Sequence, residues 1–316
     1  MLSGKNGAAA SVSKKNRWYY FKQNLPLTLL AFPTIVVFFI FRYIPLYGLI
    51  LPFKDFKVSL GLFASRWCGI ENFRFLFGGS SILIPLRNTL LYNLVFIAGG
   101  LVIAVVVALM LFELSPKQVK FFQTAYLIPY FISWVVAAYA FNAFLDMDSG
   151  VVNSVLRKLG METVMWYNEP KVWPPILIFA CFWKSSGYSA LVYYAALMGV
   201  DKELYEAATI DGAGKFKQII HISIPMIKSM IVMMTILNIG NIFYSDFGLF
   251  YNVPLNSTLL YSTTDVIDTF VYRALTGTGD IGMSSAACFL QSMVGFACVV
   301  LANWCVRKID NDNALF

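Results

Sequence analysis

The stretch Asn88-Thr-Leu-Leu-Tyr-Asn-Leu-Val-Phe-Ile-Ala-Gly-Gly-Leu-Val-Ile-Ala-Val-Val-Val-Ala-Leu-Met-Leu-Phe112 carries no charged residue from end to end. About 20 apolar residues in a helix cross the roughly 30 Å hydrocarbon layer of a bilayer, and this run is longer than that. Five more segments have the same character: residues 26–49, 124–145, 174–198, 226–246 and 284–306. The expected fold is therefore an all-α integral membrane protein with six transmembrane helices. The domain reading is an N-terminal tail over 1–25, a transmembrane domain over 26–306 and a C-terminal tail over 307–316.

Composition supports this. The chain has 316 residues, 59% hydrophobic and 13% charged, whereas soluble domains carry about a quarter charged residues. Mean hydropathy is +0.68. The 28 Phe, 17 Tyr and 7 Trp exclude a disordered chain. Five cysteines show no pairing pattern or CxxC, and His221 is the only histidine, so the sequence offers no metal site. The polar start is too long for a cleavable signal and no small-residue cleavage site follows it, so the first apolar run reads as a retained span.

Lys/Arg bias sets orientation. Placing the ends and the loops after the second and fourth spans together gives one face 13 basic against seven acidic residues. The other face has nine of each. Both termini are thus expected in the cytoplasm, and the basic balance reads as topology, not as nucleic-acid binding. Loops at 51–87 and 146–173 lie on the other side. Their Trp67, Phe73, Phe75, Phe77, Trp166, Tyr167 and Trp173 are expected mostly as headgroup-level belt residues, the remainder being available to an external partner.

The loop between the fourth and fifth spans, residues 201–225, reads as a compact helical hairpin. Asp201 is a suitable N-cap, Glu203 and Glu206 follow in or near the first turns, and Asp211-Gly212 is a turn dipeptide. A second short helix with Phe216, Ile219 and Ile220 on one face runs to Pro225. The order Glu206-Ala207-Ala208-x-x-Asp211-Gly212-Ala213, then Phe216, Ile222 and Pro225, resembles the EAA motif of permease subunits in type I ABC importers. The Glu-to-Gly spacing of six and Gly-to-Pro spacing of thirteen both fit. Ile224 departs conservatively from the leucine that often precedes the proline. Tyr43-Ile-Pro-Leu-Tyr-Gly48, Phe53-Lys-Asp-Phe56, Gly69-Ile-Glu-Asn-Phe73 and Leu127-Ile-Pro-Tyr-Phe-Ile-Ser133 resemble the branch serving complex-polysaccharide oligomers.

The resemblance implies a cytoplasmic coupling helix seated in a cleft of a separate ATPase subunit. Ala207 and Ala208 would permit close approach, Gly212 the turn, and Glu206 and Asp211 polar contacts or caps, with Ala213, Phe216 and Pro225 as the remaining motif residues. It also implies a second permease subunit (a heterodimer), two ATP-binding subunits that carry ATP and Mg, an extracytoplasmic solute-binding protein, an oligosaccharide cargo and a bacterial inner or plasma membrane. No cofactor is expected in this chain. Gly212-Ala-Gly-Lys215 is not a phosphate loop, because Thr209 and Phe216 occupy the positions that need Gly and Ser/Thr.

Polar residues within spans are candidates for the substrate pathway. Trp183, Lys184, Ser185 and Tyr188 combine rings, hydroxyls and a cation, which suits a sugar or an acidic sugar. Lys184 could equally snorkel or pair with Asp246 to hold the bundle. Asn238, Asn241 and Tyr244 are expected on one helical face looking into the bundle with Asp246 nearby, and Gln291 has similar status; interhelical hydrogen bonding would explain them as well. Alternatives are a permease for another small solute, a secondary transporter or a membrane enzyme. No pair of broken helices is evident, which disfavours the second, and no set of catalytic groups favours the third.

Overall fold

The computed structural model describes residues 24–74 and 82–315. The basic N-terminal tail, Phe75 and Phe77 lie outside the described residues. The chain is mostly helical and divides into two units, Met1–Ile50 and Leu51–Phe316. α1 (Leu25–Phe38) passes Pro33 and continues as a π turn, Phe39–Tyr43, both in the first unit, and then as a 3₁₀ stretch, Ile44–Phe53, that ends past its boundary.

The second unit contains α2 (Leu83–Phe112), α3 (Pro116–Phe131), α4 (Trp134–Leu145), α5 (Val151–Lys158), α6 (Trp173–Met198) and α7 (Lys202–Ile210). After these come α8 (Lys215–Gln218), α9 (Lys228–Gly240), α10 (Phe247–Asn252), α11 (Ile267–Arg273) and α12 (Ile281–Ile309). A two-residue antiparallel hairpin pairs Lys54 with Trp67 and Asp55 with Arg66.

Among the described residues, four helical stretches are long and apolar enough to cross a membrane: Leu25–Phe53, Leu83–Phe112, Pro170–Met198 and Ile281–Ile309. Two further stretches qualify only as bent pairs. One is α3 with α4, bent by 95°, and the other is Lys215–Met226 with α9, bent by 60°. This corrects the expectation of an unbroken helix over 124–145 and of no broken helices. Pro129 has no N–H to donate, Ile132 turns extended at ψ 130°, and Ser133 caps α4 by accepting from Val136 N. The run 226–246 is corrected too: α9 stops at Gly240, and α10 starts where the Asp246 carboxylate accepts from Leu249 N at 3.3 Å.

Packing is closest between α2 and α6, with α3 also on α6 and α9 on α12. Small residues make this possible, as expected where lipid supplies no hydrophobic drive between helices; Ala104, Ala108, Ala180 and Ala190 are buried. At Gly187 a Cβ would lie 2.1 Å from the Tyr126 carbonyl oxygen, so α3 and α6 touch backbone to backbone.

The 146–173 connection is organised by Asn153, which is fully buried. Its amide group donates to the Asp146, Met147 and Val164 carbonyls, and its oxygen accepts from Val164 N and Trp166 Nε1. The Asp146 carboxylate accepts from the Ser149 amide and hydroxyl, which holds its pKa below the usual range. Trp173, expected in the aromatic belt, is instead a core residue: it is wholly buried, stacks edge-on with Tyr167 at 5.1 Å and donates to the Trp166 carbonyl at 2.7 Å. Trp67 is exposed, beneath Lys54 Nζ at 5.0 Å.

Because Gly187 has no room for a methyl group, Gly187→Ala should lower stability by about 1–3 kcal/mol, the usual cost of overpacking. The melting midpoint in mild detergent measures this. An unchanged midpoint would show that α3 and α6 are not in backbone contact.

Candidate functional sites: a helical hairpin and a polar cavity

The 201–226 segment folds as its residues direct. The Asp201 carboxylate accepts from Glu203 N at 3.0 Å and starts α7. Gly212, at φ +78°, ends it: Gly212 N donates to the Thr209 carbonyl and Ala213 N to the Ala208 carbonyl at 2.8 Å, a left-handed C-terminal cap that glycine adopts without strain. The chain then turns into α8, a π turn over Ile219–Ser223 and a short helix, Ile224–Met226, that begins around Pro225.

Two polar contacts lock the halves together. Buried Gln218 donates to Thr209 Oγ1 at 3.0 Å and to the Ala213 carbonyl at 3.1 Å, and Tyr205 OH bonds Ser223 Oγ at 3.0 Å. The opposite face is open and apolar, with Ile210 at 87% and Phe216 at 74% exposure beside exposed Ala207 and half-buried Ala208. The Glu206 and Asp211 side chains are exposed; Asp211 sits at the C-terminal cap position.

The second site is a cavity of about 240 Å³ between α2, α6 and α9. Ser185, Asn238, Asn241 and Tyr244 line it, as their sequence positions suggested. Asn93, Ser189 and Tyr193 also line it and were missed. Ser189 and Tyr193 had a signal: Cys181, Ser185, Ser189 and Tyr193 recur every fourth residue on one helical stripe. Asn93 donates to the Ile242 and Tyr244 carbonyls at 3.0 and 2.8 Å, which fixes the turn after α9. Tyr244 OH bonds Ser292 Oγ at 2.6 Å, and Asn241 donates to the Leu237 carbonyl. The Asn238 amide makes no hydrogen bond among the described residues and is exposed.

The other candidates lie elsewhere. Trp183 lines two apolar grooves, of about 540 and 440 Å³, on other faces of α6. Tyr188 stacks on Tyr130 at 4.9 Å. Lys184 does not pair with Asp246. Its ammonium donates to the carbonyls of Tyr130 (2.8 Å), Pro129 (3.4 Å) and Ile132, and it lies 5.3 Å from the Trp134 ring centroid. Asp246 instead accepts from Trp134 Nε1 at 2.6 Å. Gln291, 2% exposed, is a packing tie: it donates to the Phe243 carbonyl at 2.7 Å and to Asp268. Burial pushes the Asp268 carboxyl above its ordinary range.

Losing the Lys184 ammonium would strand three carbonyls at the α3–α4 break. Lys184→Met should therefore destabilise by about 1–3 kcal/mol, seen as less folded protein in the membrane while apparent substrate affinity is kept. Wild-type abundance with weakened affinity would instead make Lys184 a substrate contact.

Helices packed around a cavity lined by amides and hydroxyls, with an apolar-faced hairpin between two of them, fit a transport permease. The chain belongs to the family of binding-protein-dependent transport system inner membrane components, whose model matches residues 100–310. Members are the membrane subunits of ABC importers, and ATP hydrolysis lies in separate nucleotide-binding subunits.

Two relatives come from Bacillus subtilis strain 168. Protein LplB is 30% identical over 99% of this chain and 95% of its own length. The polygalacturonan/rhamnogalacturonan transport system permease protein YteP is 33% identical over 90% and 89%. A chain in the crystal structure of a bacterial alginate ABC transporter, in complex with an alginate pentasaccharide-bound periplasmic protein, superimposes with TM-score 0.82 at 30% identity. That match covers 93% of this chain and 98% of the other.

Proposed function

We propose that this chain is one of two permease subunits through which an ATP-driven importer passes an oligosaccharide. Each bent pair counts as one span in this reading, giving six, with both termini and the 201–225 hairpin on the basic, cytoplasmic side. The hairpin acts as the coupling helix. Ala207, Ala208, Ile210 and Phe216 seat in a cleft of an ATPase subunit, Gly212 and Ala213 form the turn, Glu206 and Asp211 face the partner, and Pro225 leads into the fifth span. ATP and Mg are held by the two ATPase subunits.

On the opposite side a solute-binding protein delivers the sugar. The sugar then passes Asn93, Ser185, Ser189, Asn238, Asn241 and Tyr244, whose amides and hydroxyls offer both donors and acceptors to its hydroxyl groups. ATP-driven closure of the ATPases switches access from one side to the other, a two-state change biased by ligand.

The observation that carries this reading is the exposed apolar pair Ile210 and Phe216 flanking the Gly212 turn; side chains of that kind, held on a rigid hairpin, favour a protein partner. Gly212→Pro and Glu206→Lys should each abolish uptake while leaving the chain in the membrane, as a transport assay and a membrane immunoblot would show. Gentle purification of the tagged chain followed by mass spectrometry should recover an ATP-binding subunit and a second permease. Normal uptake by both variants, or a chain that purifies alone, would overturn the coupling role.

A further inference from the structure

We propose that the hairpin is clamped to the end of α2, with Glu113, Tyr205 and Ser223 as positioning residues, so that force on it reaches α2 directly and not only through the spans the chain joins to it, α6 and α9. The inference rests on the coupling role proposed above.

Three contacts build the clamp. Lys215 Nζ pairs with Glu113 Oε2 at 2.7 Å. The Tyr205 ring meets Phe112, the last residue of α2, at 5.5 Å between centroids. The Tyr205 hydroxyl bonds Ser223, which is 2% exposed, and so ties both halves of the hairpin to that ring. The ion pair alone would be weak, because Lys215 is mostly exposed and surface pairs contribute little. Its placement is nevertheless informative. Glu113 caps the C-terminal end of α2 and Lys215 opens α8, and each charge is unfavourable at its own helix end. Paired across the gap, each offsets the other, which favours this register of hairpin against span over neighbouring ones.

The consequence is mechanical. The cavity wall is shared between α2 and α6 on one side (Asn93, Ser185, Ser189) and α9 on the other (Asn238). The chain itself joins the hairpin to α9 through Pro225 and to α6 through residues 199–201. The clamp adds α2, which has no direct chain link to the hairpin and otherwise meets it through its packing on other spans, α6 above all.

The test uses the complete transporter in nanodiscs, with the five native cysteines replaced and a single reporter, Ile97→Cys, on the α2 side of the cavity. Its labelling by a membrane-impermeant maleimide is compared with and without Mg-ATP and vanadate. With an intact clamp the labelling rate should change on adding nucleotide. Glu113→Lys and Tyr205→Phe should each shrink that change several-fold while ATP hydrolysis continues, and the charge swap Glu113→Lys/Lys215→Glu should restore it. A full nucleotide response in both single variants overturns the clamp, as does a swap that fails to restore it. If Gly212→Pro also keeps the full response, the coupling role itself fails, a result distinct from failure of the clamp.

Discussion

The ammonium of Lys184 reaching the carbonyls of Pro129, Tyr130 and Ile132 is the contact on which the arrangement of the spans depends. A helix broken within hydrocarbon leaves carbonyl oxygens that no water can satisfy, so a break survives only where protein supplies the donors. Ser133 satisfies one amide of the next helix, and Lys184 supplies the missing donors to the previous one. The positive charge also suits the negative end of α3. Trp134 then carries the contact onward: its ring lies near the ammonium, and its Nε1 donates to Asp246, which caps α10. Lys184 and Asp246 are thus bridged by one indole without touching each other.

This use of Lys184 decides the character of the cavity. With the lysine held in the α3–α4 break, the polar lining consists of neutral amides and hydroxyls on Asn93, Ser185, Ser189, Tyr193, Asn238, Asn241 and Tyr244. Such groups can donate and accept, matching sugar hydroxyls of either sense, and they bind no ion strongly enough to trap it. If this cavity is the path proposed above, it has to release what it admits, and a wall without fixed charge meets that need better than a buried cation would.

Much of this was legible before folding. The uncharged run 88–112 gave its span to within a few residues, because nothing in it competes with a helix. The Asp201 cap and the Gly212 stop were legible because capping is local chemistry that tertiary packing does not override. The breaks were not. Pro129 and Ser133 signalled one, but the apolar residues on both sides kept the hydropathy continuous across it. The premature end of α9 at Gly240 was hidden in the same way, so Asn241 and Tyr244 reach the cavity from a turn and not from a helical face. The partner of Lys184 was illegible in principle, since three backbone carbonyls leave no mark in a sequence. Ser189 and Tyr193 were readable from the four-residue stripe they share with Cys181 and Ser185.

The base of α9 shows why the bend at Ile227 can have a defined geometry. On one side the chain enters it from the hairpin through Pro225. On the other, the segment after α12 folds back onto it: Lys228 pairs with Asp310 at 2.5 Å, and Ser229 donates to Asn313. Leu315 N is held in turn by Asn303 of α12 at 2.7 Å, and Ile227 itself is buried. A bend fixed at both sides cannot simply absorb a push on the hairpin by flexing. Under the proposed coupling role a displacement of the hairpin passes into α9 and, through the tail contacts, into α12, which packs beside it. Since α9 carries Asn238 into the cavity and Tyr244, just beyond it, is bonded to Ser292 of α12, the proposed coupling role has a continuous route of packed and hydrogen-bonded contacts from the hairpin to the cavity wall.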